Sequence, residues 1–288
     1  SEAYEFRVKT SPKDRRGTPF MMDPYSAEIL KPEPSPLDEF FSIMFRMHRW
    51  LLLDTSIGRP IVGVATIIFL FLSISGIIIW FPKKWKWKAF KPGFKIKWSA
   101  NWKRINHDLH NTLGFYSCIF LVIMILTGLC WSFEWYREAG SQVLGTKIFG
   151  GRGGPGITSE EPGSEIISLS EAYTISNSEL TYAGKTNISI PQEDTNVFEI
   201  RKYGDDNWSP STSDLLVLDR NGSVVKKELF DDKDLNVQVA SLIKPLHTGE
   251  IFGTLSKIIY FLACLIATSL PVTGTIIWLN KMKKKKHR

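Results

Sequence analysis

The histidines of this chain lie where several of them could act together as ligands. The sequence contains five histidines. Four of them, His48, His107, His110 and His247, lie at or shortly before an apolar stretch long enough to cross a bilayer, and only His287 lies in a basic tail. A histidine nitrogen can bind haem iron axially, and helix-borne histidines inside a bundle are a common way to hold a haem. The pattern therefore favours b-type haem as the ligand.

The placement of the histidines predicts which of them share a haem. His48 lies on an apolar-rich segment that we expect to be helical from the start signal Ser35-Pro36, and His247 holds the matching place before the last apolar stretch. We therefore expect His48 and His247 to be the two axial ligands of an outer haem. His107 and His110 are three residues apart on one helix, so they cannot lie on opposite sides of one iron.

An inner haem would therefore take its second ligand from outside this chain. We expect His110 to be the ligand that this chain supplies, because His110 occupies the position that repeats along the sequence. His107 would contact a haem propionate or replace the ligand in another state.

Some of the same residues also fit roles that involve no haem. A single histidine at a membrane boundary is more often an amphipathic interfacial residue than a ligand. Zinc or copper would need a third or fourth ligand, and no cysteine or histidine cluster in the sequence supplies one. Arg49 and Arg59, close to His48, are expected to meet either haem propionates or lipid head groups.

Three uncharged apolar stretches predict transmembrane helices. They cover residues 61–81, 113–133 and 258–279. About 20 apolar residues cross the roughly 30 Å hydrocarbon core of a bilayer, so each stretch is long enough. The three cysteines all lie within these stretches, where they are expected to be small packing residues. The sequence predicts a mainly α membrane protein with an additional α+β module.

The positive charge indicates the topology of the chain and argues against nucleic acid as a partner. The formal net charge is +7, but the basic residues crowd into the loop at 83–104 and the tail at 281–288. Both segments follow or link apolar stretches, and cytoplasmic loops of membrane proteins are enriched in Lys and Arg. We therefore expect the lipid bilayer as a partner, with both basic segments in the cytoplasm and residues 1 to about 58 and about 137–250 outside.

The outside segments contain signals for a small α+β module. Residues 20–30 and 216–225 each show two short apolar runs around an Asp-led turn, which is typical of a β-hairpin. Residues 168–178 could form a short helix, and residues 197–202 a strand. The Gly- and Pro-rich residues 149–165 indicate a linker.

Each apolar stretch belongs to a repeated order of residue types: a histidine, a glycine, the stretch itself, a Ser/Thr-Gly pair and a tryptophan. The pairs are Ser75-Gly76, Thr127-Gly128 and Thr273-Gly274. Small residues let helix backbones approach closely. We therefore favour close helix packing over direct contact with a cofactor as the role of these pairs.

The order of these motifs resembles the PepSY-associated transmembrane family. The resemblance rests on Leu246-His247-Thr248-Gly249, on Met47-His48-Arg49-Trp50 with Gly58-Arg59 and residues 75–80, and on Asp108-Leu109-His110 with Leu113-Gly114. It implies four transmembrane helices with periplasmic PepSY modules between them. This chain departs from that pattern by lacking the first helix and most of the first module, so its inner haem site is incomplete.

The resemblance also implies a division of the chain. The expected parts are the end of a first PepSY-like module (1–34), a periplasmic-face helix with His48 (35–58), a transmembrane helix (59–82), a basic cytoplasmic loop (83–106), a second transmembrane helix (107–136), a linker (137–163), a second PepSY-like module (164–245), a third transmembrane helix (246–280) and a basic tail (281–288).

Some members of the family resemble ferric-siderophore reductases of the Gram-negative inner membrane, which carry two b-type haems. The resemblance implies that electrons from quinol or a separate reductase pass through both haems to a ferric siderophore in the periplasm. The alternative is a haem-free PepSY membrane sensor or peptidase regulator, in which the histidines would be incidental. A haem spectrum distinguishes the two.

Overall fold

The computed structural model describes residues 3–8, 17–30, 35–150, 156–193 and 196–286. His287 and residues 151–155 of the expected linker lie outside the described residues. Among the described residues, three helices are long and apolar enough to cross a membrane, namely Thr55–Trp80, Trp102–Ser132 and Gly253–Lys283. They coincide with the three predicted stretches, and two small antiparallel sheets accompany them. The expected fold class, a mainly α membrane protein with an α+β module, is confirmed.

The chain divides into two compact units, Ser1–Val62 and Gly63–Arg288. In the first unit, β1 (Tyr4–Val8) pairs with β2 (Thr18–Met22), which pairs with β3 (Ile29–Leu30), all antiparallel. The Asp23 carboxylate makes the turn after β2, since it accepts two backbone hydrogen bonds of 2.8 and 2.9 Å. The hairpin predicted at residues 20–30 is therefore confirmed.

The same unit contains α1 (Pro36–Trp50), the helix that carries His48. Ser35 and Asp38 form a capping box, in which each side chain accepts a hydrogen bond from the other residue's backbone N–H. The predicted helix start is therefore confirmed. The next helix, α2 (Thr55–Trp80), begins in this unit, and Gly58 is needed there because a Cβ would collide with the Trp50 carbonyl oxygen.

The second unit begins within α2 and continues through a series of helices. These are α3 (Trp87–Phe90), a 3₁₀ turn (Lys91–Phe94), α4 (Trp102–Asp108), a π-helical turn (Leu109–Leu113), α5 (Gly114–Ser132) and α6 (Glu134–Leu144). The basic loop is fastened to the start of α5. The Thr112 hydroxyl donates to the Gly93 carbonyl at 3.0 Å, and the Trp80 ring stacks on Phe115 at 3.9 Å.

Helix α6 occupies a segment that the sequence predicts to be a linker from residue 137. The chain is extended only at Phe133 before the helix resumes. The segment after α6 folds back, because the Ser141 hydroxyl accepts a hydrogen bond from the Ile148 N–H at 3.0 Å. Ile148 then packs with Cys130 and Ile243 in a small buried cluster. Burial of this cluster explains why the segment is ordered here.

The α+β module consists of one helix on a four-stranded antiparallel sheet. Its elements are α7 (Leu169–Glu179), β4 (Gly184–Ser189), β5 (Phe198–Gly204), β6 (Asp214–Leu218) and β7 (Val224–Glu228), with the strands in sequential order. The predicted helix, strand and second hairpin are all present. The core cluster contains Ala172, Leu180, Phe198, Ile200, Leu216 and Leu218.

The last two helices are α8 (Leu235–Thr248) and α9 (Gly253–Lys286). Helix α5 packs against both. The sequence predicts a third transmembrane segment from residue 246, but residues 246–248 belong to α8, and the chain turns sharply at Gly249 before α9 begins. His247 therefore lies in the last turn of α8 and not on the spanning helix.

Candidate functional site

His247 is held against the far end of α5 by its Nδ1 atom. This atom lies 3.0 Å from the Met124 carbonyl oxygen and 3.2 Å from the Thr127 hydroxyl oxygen. A Cβ built on Gly128 would lie 3.0 Å from His247 Cε1, which is tighter than an ordinary van der Waals contact. The Trp131 ring lies 5.2 Å from the imidazole, centroid to centroid. About two turns of α5, from Met124 to Trp131, thus surround this ring.

The turn after α8 fixes the direction from which His247 approaches. Gly249 has a φ of +75°, a left-handed conformation that favours glycine. A side chain at this position would also collide with Tyr260 at the start of α9. The Ser256 hydroxyl donates to the Gly249 carbonyl at 2.6 Å and locks the turn to α9.

His110 is held in the same way against α9. It lies in the π-helical turn before α5, and its Nδ1 atom is 2.9 Å from the Thr273 hydroxyl oxygen. It also makes a backbone hydrogen bond with Leu270. A Cβ on Gly274 would lie 3.2 Å from His110 Cε1. The buried Asn106 side chain reinforces the contact, since it donates to the Thr273 carbonyl at 3.0 Å.

The two arrangements use the same three positions of a helix: a backbone carbonyl, a threonine three residues later and the glycine that follows. We call Met124, Thr127 and Gly128 the α5 dock, and Leu270, Thr273 and Gly274 the α9 dock. The α5 dock holds the histidine that precedes α9, and the α9 dock holds the histidine that precedes α5. Each of the two antiparallel helices therefore holds the histidine that precedes the other helix in the chain.

The hydrogen bonds of the docks favour one tautomer of both rings. A carbonyl oxygen can only accept a hydrogen bond, so the Met124 carbonyl, 3.0 Å away, favours a proton on His247 Nδ1. The Thr127 hydroxyl donates to the Ile123 carbonyl at 2.6 Å, and the Thr273 hydroxyl donates to the Ser269 carbonyl at 3.1 Å. Each threonine therefore offers its oxygen as an acceptor. In the neutral rings the lone pair is then on Nε2, which is the form that binds metals.

His48 lies in the last turn of α1, in the first unit. Its pKa is held below the usual imidazole value, first by desolvation and then by the positive charge of Arg49. The Arg49 guanidinium lies 5.2 Å from the ring centroids of Phe45 and Trp50, so it is engaged with aromatic faces. The pairing of His48 with His247, which lies in the second unit, stays a prediction.

His107 and Arg59 are not part of either dock. The His107 side chain is 54% exposed, with Nδ1 3.6 Å from an Asp108 carboxylate oxygen. Arg59 is exposed in the first turns of α2. Their expected contacts with propionates stay predictions.

The Ser/Thr-Gly pairs are visible in the sequence, but their role as docks is not. The sequence favours close helix packing at these pairs. Gly128 and Gly274 do pack closely, although their neighbour is an imidazole rather than a helix backbone. For Gly76 the interpretation is wrong within the described residues, since nothing lies within 4 Å of a Cβ placed there. The signal that could have revealed the docks is the recurrence of a histidine before the partner span of each Thr-Gly pair.

A comparison with family models decides the family of this chain. The model described as the PepSY-associated TM region matches residues 2–281. The chain belongs to the PepSY-associated TM region family. Comparison with curated proteins gave no match. The family match and the three apolar helices together make the chain a multi-pass membrane protein.

In this PepSY-associated TM region protein, the docks are the contacts that orient two of the predicted ligands, His247 and His110. Among the described residues, no group of three or more His, Cys, Asp or Glu side chains is placed to hold a metal ion. Each dock instead presents one oriented imidazole. Haem iron can bind one histidine nitrogen on each face, so one oriented imidazole per dock would suit this cofactor.

Proposed function

We propose that this chain is a haem b-containing electron-transfer protein of the bacterial inner membrane. It would reduce a ferric siderophore in the periplasm and so release Fe(II) for uptake. The proposal is consistent with the family membership and rests on one observation above all: each dock holds a histidine by its Nδ1 atom, at opposite ends of the α5–α9 pair.

The residues of the chain would hold up to two b-type haems. His247 and His48 would hold the outer haem, and Arg49 and Arg59 would meet its propionates. His110 would bind the inner haem, with His107 beside it and the second ligand supplied from outside this chain. The docks lie about 25 Å apart at 1.5 Å per helical residue, so the pair spans much of the membrane.

Haem bound at these residues would supply reversible one-electron chemistry at iron. The chain's own contribution is to orient each imidazole and to keep it in the Nδ1-protonated form. The substrate reaction is the gain of one electron by siderophore-bound Fe(III), which gives Fe(II), and the loss of one electron by the donor. Fe(II) binds hard oxygen ligands more weakly, so its release follows. Quinol or a separate reductase would be the donor.

The proposed topology places the basic loop and tail in the cytoplasm and the α+β module in the periplasm. It is supported by the concentration of Lys and Arg in the segments that link or follow the spanning helices. It would put the α5 dock on the periplasmic side, where a ferric siderophore arrives, and the α9 dock on the side of the electron donor.

The test is a dithionite-reduced minus oxidised spectrum of the detergent-purified chain, with haem quantified. The variants are His48→Ala and His247→Ala, and His287→Ala in the basic tail is the matched control. We expect a sharp b-type signal that falls in the first two variants and persists in the third. Absence of haem from protein made with adequate haem supply would overturn the proposal.

A haem-free chain would leave the sensor or peptidase regulator as the function to pursue. The observation that favours this second candidate is the α+β module, which has its own buried core and a complete four-stranded sheet. In that case binding of a peptidase to the full chain, with and without substitutions on the exposed face of the module, would be the next measurement.

A further inference from the structure

The threonines of the two docks do more than pack. Thr127 and Thr273 each place a hydroxyl oxygen within hydrogen-bond distance of a histidine Nδ1, at 3.2 and 2.9 Å. Each is also tied to its own helix by a hydroxyl that donates to a backbone carbonyl four residues earlier. With the single hydroxyl proton given to a backbone carbonyl, each threonine oxygen faces the imidazole as an acceptor.

We propose that Thr127 and Thr273 are positioning residues that keep His247 and His110 in the Nδ1-protonated form and aim Nε2 at the metal. This inference rests on the haem function proposed above, but its first consequence, the tautomer, exists without haem. Partners of the non-ligating ring nitrogen fix the ring orientation and raise the basicity of the ligand. The threonines would therefore influence both haem affinity and reduction potential.

The alternative role for these threonines is purely structural, as capped polar groups inside spanning helices. Threonine often bonds to the carbonyl four residues earlier in such helices without any further function. Thr275 illustrates that role, since its hydroxyl donates to the Pro271 carbonyl at 2.7 Å. It lies two residues from Thr273 on the same helix, and no hydrogen bond joins it to a histidine within the described residues.

The first experiment measures the tautomer in haem-free protein by ¹⁵N NMR of labelled histidine. The pH is kept above the imidazole titration range, and His247→Ala and His110→Ala assign the signals. We expect Nδ1-protonated rings in the wild type and in Thr275→Val. In Thr127→Val and Thr273→Val, which keep the shape but lose one of two acceptors, the Nδ1-protonated fraction of the affected ring should fall. Thr127→Ser and Thr273→Ser should restore the wild-type form.

The second experiment measures haem affinity and reduction potential in the same set of variants. Loss of an outer partner typically costs a metal site about 10- to 100-fold in affinity. We expect about 10-fold for each valine variant, because a backbone carbonyl remains near each Nδ1. A less basic imidazole stabilises Fe(III) less, so the potential should rise in the valine variants and return in the serine variants.

The two failures are distinguishable. If the wild type binds no haem, the proposed function falls, and the NMR result alone decides whether the threonines set the tautomer. If haem is bound but Thr127→Val and Thr273→Val match Thr275→Val in tautomer, affinity and potential, the positioning role is overturned while the function stands.

Discussion

The glycines of the two docks have no side chain, and this allows an imidazole ring to pack against the helix at each of them. A Cβ on Gly128 would meet the His247 ring at 3.0 Å, and one on Gly274 would meet the His110 ring at 3.2 Å. Gly76 has the same position in the repeat on α2, but among the described residues no atom lies within 4 Å of a Cβ built on it. Gly76 can therefore serve as a comparison for Gly128 and Gly274, because it holds the same place in the repeat but has no imidazole packed against it among the described residues.

We predict that Gly128→Ala and Gly274→Ala destabilise the protein by about 1–3 kcal/mol, the usual cost of overpacking. Gly76→Ala is the matched control. It should be neutral or stabilising by up to about 1 kcal/mol, because alanine is the better helix former. Thermal unfolding of the three variants in one detergent measures the difference.

Equal melting temperatures for all three alanine variants would contradict this prediction. They would mean that each imidazole can leave its dock at no cost, and that the close approach at Gly128 and Gly274 is not required.

At the scale of elements, α7 shows how one helix holds the α+β module together. Ala172 on this helix is fully buried in the core cluster, beside Phe198 and Leu216 of the sheet. The helix start depends on Ser168, whose hydroxyl accepts from the Glu171 N–H at 3.2 Å while Glu171 reaches back to the Ser168 N–H at 2.8 Å. Loss of this capping box should destabilise the first turn of α7, the helix that covers the sheet.

We predict that Ser168→Ala destabilises α7 by about 1 kcal/mol, the typical cost of losing an N-cap side chain. Amide exchange in the first turns of the helix should then be about fivefold faster. Ser170→Ala, at an exposed position inside the same helix, is the control and should leave exchange nearly unchanged. Hydrogen–deuterium exchange of the full chain followed by mass spectrometry provides the measurement. Similar rates in the two variants would show that the cap contributes nothing.

At the scale of the whole molecule, Asp219 ties the chain that follows the linker to the last hairpin of the module. Its carboxylate accepts hydrogen bonds from the Ser159 hydroxyl and from the Glu160 and Arg220 N–H groups. Burial by itself would raise the pKa of Asp219, but these donors outweigh burial and hold the pKa below its usual value. The charged form is therefore the one that stabilises the fold.

The stability that this carboxylate contributes should depend on pH. A folded-state pKa below the unfolded value means that the contribution is complete above the unfolded pKa, near pH 4, and is lost as the pH falls through the folded value. We predict that Asp219→Asn is less stable than wild type at pH 7 and that the difference shrinks below about pH 4. Urea unfolding across this range measures it, with the exposed Asp206→Asn as control. A difference independent of pH would refute an electrostatic cause.

Local signals in the sequence were sufficient for most of the fold. The apolar runs indicate the spanning helices, Ser35 indicates the start of α1, and the Asp-led turns indicate both hairpins, because each feature depends on neighbouring residues. The contact of Thr127 with His247 joins residues far apart in the chain, and no local period encodes it. Helix α6 was missed for a related reason, since distant Ile243 supplies part of the cluster that orders the segment.

The reciprocal holding of histidines by α5 and α9 has a mechanical consequence. Because each helix seats the ring that leads into the other, sliding α9 along α5 by one turn, about 5.4 Å, would unseat both imidazoles together. Neither imidazole can move along the membrane normal with its helix without displacing the other imidazole from its dock. The spacing between the two histidine rings is therefore set by the single packing register of this helix pair.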